Sequence, residues 1–198
     1  MIIGSDVKTQ YLTTANNMTS NSIKAEGEEN RDDFQTNDVI DWQVLGKPLT
    51  YLPTTFLINS RQGREVLVSI AAGHLLRIDQ TSSEPLDFCI GDALLCTGHG
   101  NPGPMTIVFE QPVYGVNMRI QPDVVNDPDY SISIEALDRL DTSIKKIKHS
   151  ALSQQLDAGA IPLTLLDVKG RVKKLVISAK EQGIHIPFCI NAMELKTV

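Results

Sequence analysis

Few residues in this 198-residue chain are placed to do chemistry, and they are scattered. Cys96 and His99 stand three apart around a glycine-rich stretch, the spacing of a thiol with a neighbouring base. A nucleophilic role would need the fold to hold a base against the thiolate. The competing role is that of a small buried hydrophobe, and Cys89, Cys96 and Cys189 all have apolar neighbours. Their odd number leaves at least one thiol free, their spacing fits no zinc motif, and reduced thiols are expected. Asp92 and His99 flank one predicted strand, and seven extended residues would part them by roughly 23 Å. They therefore make no direct acid–base dyad. His99, in a glycine-bordered loop, is the exposed group expected to titrate near neutrality. Glu135 lies opposite an apolar face, either simply solvated or pointing into a cleft as a proton donor or a partner for hydroxyl groups. Tyr114, Arg119 and Tyr130 are candidates to line such a groove. There is no G-x-S-x-G elbow, no phosphate-binding G-x-x-x-x-G-K-[ST] loop and no H-E-x-x-H helix.

The elements that must position these groups are short and extended. Ala93-Leu94-Leu95-Cys96 and Met105-Thr106-Ile107-Val108-Phe109 are apolar runs separated by Gly98, Gly100, Pro102, Gly103 and Pro104, residues that cannot continue a helix. The segment predicts two strands flanking a hairpin-like loop. Further strands are expected over 54–59, 65–70, 74–79, 113–120, 130–137, 144–148, 163–167, 172–178 and 187–195, with turn signals between them. Alternation is clearest at Tyr130, Ile132, Ile134 and Ala136, which share one side. About ten short strands with such punctuation predict an all-β fold, a two-sheet antiparallel β-sandwich or jelly roll. Residues 1–33 are polar and aperiodic and are expected to form a tail or arm, leaving 34–198 as the sandwich domain. Ala151–Ala158 could form two helical turns, and Asn126-Asp127-Pro128-Asp129 has turn composition.

Composition narrows the partners. Hydrophobic residues make up 41% of the chain but aromatics only 5%, with one Trp, so the core must be aliphatic. The net charge of -6 disfavours nucleic acid. The basic run Lys145, Lys146, Lys148 is best placed on a solvated edge strand, where lysine discourages sheet-to-sheet association. No apolar run reaches the roughly 20 residues of a membrane span, and no basic start with a long apolar core marks a secretory leader.

Several segments together are familiar. Asp41-Trp42-Gln43-Val44-Leu45-Gly46, Gly91-Asp92-Ala93-Leu94-Leu95, Gly103-Pro104-Met105-Thr106-Ile107-Val108-Phe109, Pro112-Val113-Tyr114-Gly115-Val116, Ile132–Asp138 and Phe188–Leu195 occur in this order. The set resembles bacterial jelly-roll domains common in exported proteins, including many that carry a PEP-CTERM sorting signal. The resemblance, over about residues 38–195, implies a sandwich akin to carbohydrate-binding and galactose-binding-like modules, often with a structural calcium ion. Asn191 stands where those domains usually carry an acidic residue. Calcium takes six to eight oxygen ligands, and Asp38, Asp41 and Asn191 are the candidate set if the first and last strands pair. Turn or cap chemistry is the competing role for both aspartates. The leading functional expectation is a recognition module for a glycan or a protein surface. A calcium-dependent jelly-roll cyclase, isomerase or lyase acting on a small apolar molecule is the second, and a structural surface protein the third.

Overall fold

The computed structural model describes residues 35–81, 86–98, 100, 102–123, 130–150 and 159–198. The expected N-terminal arm, the helical turns at 151–158, the acidic turn at 126–129 and His99 lie outside the described residues. Within them the chain forms fifteen strands and one short 3-10 turn, Trp42–Leu45. The strands are β1 Asp38–Ile40, β2 Thr50–Leu52, β3 Thr55–Asn59, β4 Glu65–Ile70, β5 Leu75–Asp79, β6 Ala93–Thr97, β7 Met105–Val113 and β8 Gly115–Pro122. They continue as β9 Tyr130–Leu137, β10 Ser143–Ser150, β11 Ile161–Leu166, β12 Val172–Glu181, β13 Ile184–His185, β14 Phe188–Ile190 and β15 Met193–Lys196.

Two antiparallel sheets face each other, so the fold is the expected β-sandwich. One has seven strands, ordered β10-β9-β12-β7-β4-β3 with β13 beside β12. The other has eight, ordered β1-β15-β8-β14-β6-β5-β2, with β11 on the far side of β8. Period-two alternation sends Ile132, Ile134 and Ala136 of β9, Leu175 and Ile177 of β12, and Val116, Met118 and Ile120 of β8 into one aliphatic core. Each such Val, Leu, Ile or Met side chain, fully buried, contributes about 1.5–3 kcal/mol before the entropy of ordering is counted. The lysine-bearing strand β10 is indeed an edge.

Two expectations need correction. β6 and β7 are not a hairpin: β6 belongs to the eight-stranded sheet and β7 to the seven-stranded one, so the glycine- and proline-rich connection carries the chain from one layer to the other. The cysteines are not three reduced thiols. Cys96 of β6 and Cys189 of β14 are directly opposite in register and form a disulfide, while Cys89 is free and exposed rather than buried. A thiol pair in register across two strands is close enough to bridge, and Cys96 is thereby removed as a nucleophile.

The last strand is broken. β14 and β15 both pair with the same edge of β8, one beyond the other, and Asn191 sits at the jog. Its side-chain Oδ1 accepts the Arg119 backbone N–H at 2.7 Å, and its own N–H donates to Arg119 O at 3.2 Å. The side chain thus replaces a ladder carbonyl where the strand steps. Trp42, fully buried, donates Nε1–H to Asn191 O at 2.7 Å. β1 pairs with β15, as expected of first and last strands, and Asn37 reinforces the pairing through three hydrogen bonds to Thr197.

Candidate ligand cleft

The outer face of the eight-stranded sheet is divided. Over β5, β6 and β14 it is closed by a small apolar cluster, Leu86, Phe88, Leu94, Cys96, Ala160 and Cys189, which contains the disulfide. Segment 86–92 lies over it, tied down by Gln80 Nε2 donating to Leu86 O and by Asp87 N–H donating to Gln121 Oε1 at 2.7 Å. Over β1, β15, β8 and β11 the described residues leave the same face open.

That open half holds a solvent-facing cleft of about 460 Å³, within the range of small-molecule sites. Register builds it. Val39 of β1 is opposite Glu194 of β15, Glu194 is opposite Asn117 of β8, and Asn117 is opposite Thr164 of β11. All four lie on the outward parity of their strands, because Ile40, Leu195, Met118 and Leu163 fill the inward one. The polar members lock one another. Asn117 Nδ2 donates to Glu194 at 2.8 Å, and Thr164 Oγ1 donates to Asn117 Oδ1 at 2.9 Å. One row along β8, Arg119 stands opposite Pro162 and beside Asn191. The Arg119 side chain is exposed and makes no ion pair among the described residues. The cleft therefore offers one guanidinium, one carboxylate and two fixed amides above the apolar surfaces of Val39, Pro162 and Ala192.

Of the residues expected to line a groove, only Arg119 lies here. Tyr114 sits at the β7–β8 corner with its ring packed over Gly170, where a Cβ would meet the ring at 2.7 Å. Gly170 also has φ +62, so two requirements at that turn favour glycine. Tyr130 belongs to the other sheet, and its ring rests against the core, where burial raises the phenol's pKa. Glu135 is also on the other sheet, outward-facing. Its hydrogen bond from Lys146, at 3.0 Å, holds its pKa below the usual carboxylate range, so near neutrality it stays charged.

The three oxygen donors considered for calcium have protein partners. Asp38 is a clasp between the sheets: Oδ1 accepts from Val39 N at 2.8 Å and Gln62 N at 3.0 Å, and Oδ2 accepts from Ser60 Oγ at 2.6 Å. Arg64 Nε stands 3.6 Å from the same carboxylate, whose side chain is fully buried. Asp41 caps the 3-10 turn through Gln43 N at 3.0 Å, and Asn191 bridges the jog in the last strand. A calcium ion at Asp38 would have to displace Ser60 and Gln62 and sit against an arginine, so this set does not fit the ion as it stands. Among the described residues no group of three or more His, Cys, Asp and Glu converges.

Comparison with known proteins finds only likenesses of low sequence identity. No protein-family model matches the chain, and no curated protein matches it in sequence. Among solved structures, a DUF4465 family protein from Bacteroides caccae is similar at 10% identity and TM-score 0.48, over 87% of this chain and 98% of that one. The CBM22-1 xylan-binding domain of Paenibacillus barcinonensis Xyn10C is similar at 11% identity and TM-score 0.37, over 77% and 99%. TmCBM61, solved with β-1,4-galactotriose, is similar at 8% identity and TM-score 0.35, over 66% and 83%. PEP-CTERM sorting has no counterpart in these likenesses. The β-sandwich assignment rests on the two sheets themselves.

Proposed function

We propose that this domain is a glycan-recognition module that binds in the cleft over β1, β15, β8 and β11. The observation that supports it best is the locked row Glu194–Asn117–Thr164. A sugar presents hydroxyl groups that both donate and accept. A fixed carboxylate and amide edge beside a cationic donor satisfies both roles at once, without reorganisation on binding. The flat Pro162 ring and Val39 supply apolar surface for C–H faces. Among the described residues that line this cleft none is aromatic, and in this reading hydrogen bonding carries more of the recognition than stacking does.

The test is titration calorimetry against linear neutral β-linked glucan, xylan and galactan oligosaccharides, with Asn117→Ala alongside the native protein. Asn117→Ala should weaken any such binding about tenfold or more, since it strips two hydrogen-bonded neighbours of their partner. Binding that Asn117→Ala and Arg119→Ala leave unchanged would place the ligand elsewhere. Calcium enters this reading only as a condition of the assay, run with the ion and with a chelator.

A further inference from the structure

Beside the cleft lies a second hollow of about 490 Å³, bordered by Thr36, Asn37, Asp38, Val39, Arg61, Gln62 and Glu194. The two share Thr36, Val39 and Glu194. One trough therefore runs across the strands: from Arg119 and Pro162 on β8 and β11, over Asn117 and Glu194, past Val39 on edge strand β1, to Arg61 and Gln62 on the β3–β4 turn of the opposite sheet. The steps from β11 to β1 alone cover about 14 Å at the usual strand spacing, and the second hollow extends beyond β1.

The far end is built as firmly as the near one. Asn37 is held by Thr197, and its carbonyl accepts Gln62 Nε2 at 2.5 Å. Gln62 N–H is held by Asp38, and Arg61 N–H donates to Val39 O at 2.8 Å. The Gln62 side-chain carbonyl has no donor among the described residues. The Arg61 side chain is 74% exposed, and its ion pair among the described residues is with Asp41, at 4.0 Å, a surface pairing worth little. Thus both ends present a guanidinium free to donate, with the Glu194 carboxylate between them.

We propose that the ligand is an uncharged, extended polyhydroxylated chain lying across β11, β8, β15 and β1 and reaching the β3–β4 turn, bound along its length rather than by one terminal unit. A single sugar would fill one hollow and leave the other's donors solvated. A polyanionic chain would meet Glu194 at mid-trough. This inference rests on the glycan reading above and adds to it the length and the direction of the ligand.

The experiment is a length series of the same β-linked glucan, xylan and galactan oligosaccharides, from two units to six, titrated into the native domain and into an Arg61→Ala/Gln62→Ala double variant. For the native domain, affinity should rise about tenfold from two units to six, the worth of one or two added hydrogen bonds. In the double variant that rise should vanish while binding of the disaccharide stays within about twofold. Both replaced side chains are at the surface, and an unchanged melting temperature would confirm the variant's fold. Equal affinity for all lengths, or a hexasaccharide held equally well by the double variant, would overturn the extended ligand and leave glycan recognition standing. Failure of every oligosaccharide to bind would overturn both.

Discussion

Loss of the Cys96–Cys189 bridge offers the sharpest quantitative test of the eight-stranded sheet. The bond joins positions 93 residues apart, on strands that meet only through the fold. In the chain-entropy account, closing a loop of 93 residues removes denatured-state freedom worth about 4.6 kcal/mol at 25 °C. Removing a native disulfide typically costs about 2–5 kcal/mol, so a loss of about 3–4.6 kcal/mol is expected. At roughly 2–4 °C per kcal/mol for a domain this size, the melting temperature should fall by about 6–18 °C. Calorimetry on the oxidised protein, on the same protein held in reductant, and on a Cys96→Ala/Cys189→Ala variant supplies the comparison. The reduced protein and the variant should melt together, well below the oxidised form. Alkylation after unfolding without reductant should modify one thiol, Cys89. Modification of all three cysteines in protein purified under oxidising conditions, or oxidised and reduced forms melting within about 2 °C of each other, would refute the register between β6 and β14.

Further perturbations probe other joints. Asp38→Ala should cost about 3–5 kcal/mol in urea unfolding, because Arg64, Ser60 and Gln62 N–H lose a buried carboxylate together. Melting in calcium and in chelator should differ by less than about 1 °C, since Asp38 already has its full set of protein partners; a rise of several degrees with the ion would show a site the described geometry lacks. Burial, then the Lys180 charge, lowers the His185 pKa below its ordinary 6.5, so the unfolded chain binds more protons than the folded one. That stability is present above pH 6.5 and declines as pH falls through and below it, and His185→Gln should flatten this part of a pH–stability profile. Trp42→Phe should lose about 1–3 kcal/mol by leaving the Asn191 carbonyl unpaired.

What the sequence made legible was parity; what it hid was partnership. Tyr130, Ile132, Ile134 and Ala136 announce an inward face through spacing alone, because side-chain period in a strand is a local property. The lysines of β10 marked an edge for the same reason: charges on both faces of a strand leave room for no covering layer. Pairing is non-local. Nothing near Cys96 says that Cys189 faces it, and a glycine-rich link between two apolar runs is equally good as a hairpin or as a passage between layers. Asn117 and Thr164 of the candidate cleft carried a signal, polar residues alternating with Val116, Met118, Leu163 and Leu165. Only the register of β8 with β11 and β15 turns that alternation into a row. Asn191 was expected to offer its side-chain oxygen to a calcium ion; in the fold that oxygen accepts the backbone N–H of Arg119.

The step at Asn191 also constrains how the molecule can be assembled. β14 and β15 are synthesised after every strand they join, yet they lie between β8 on one side and β6 and β1 on the other. Until residues 188–196 emerge, β8 lacks a neighbour along that whole edge, and β1 has nothing to pair with. A nascent chain stalled before Phe188 would thus hold β11 with β8, and β6 with β5 and β2, as unjoined fragments beside a lone β1, and the eight-stranded layer can close only when its keystone arrives.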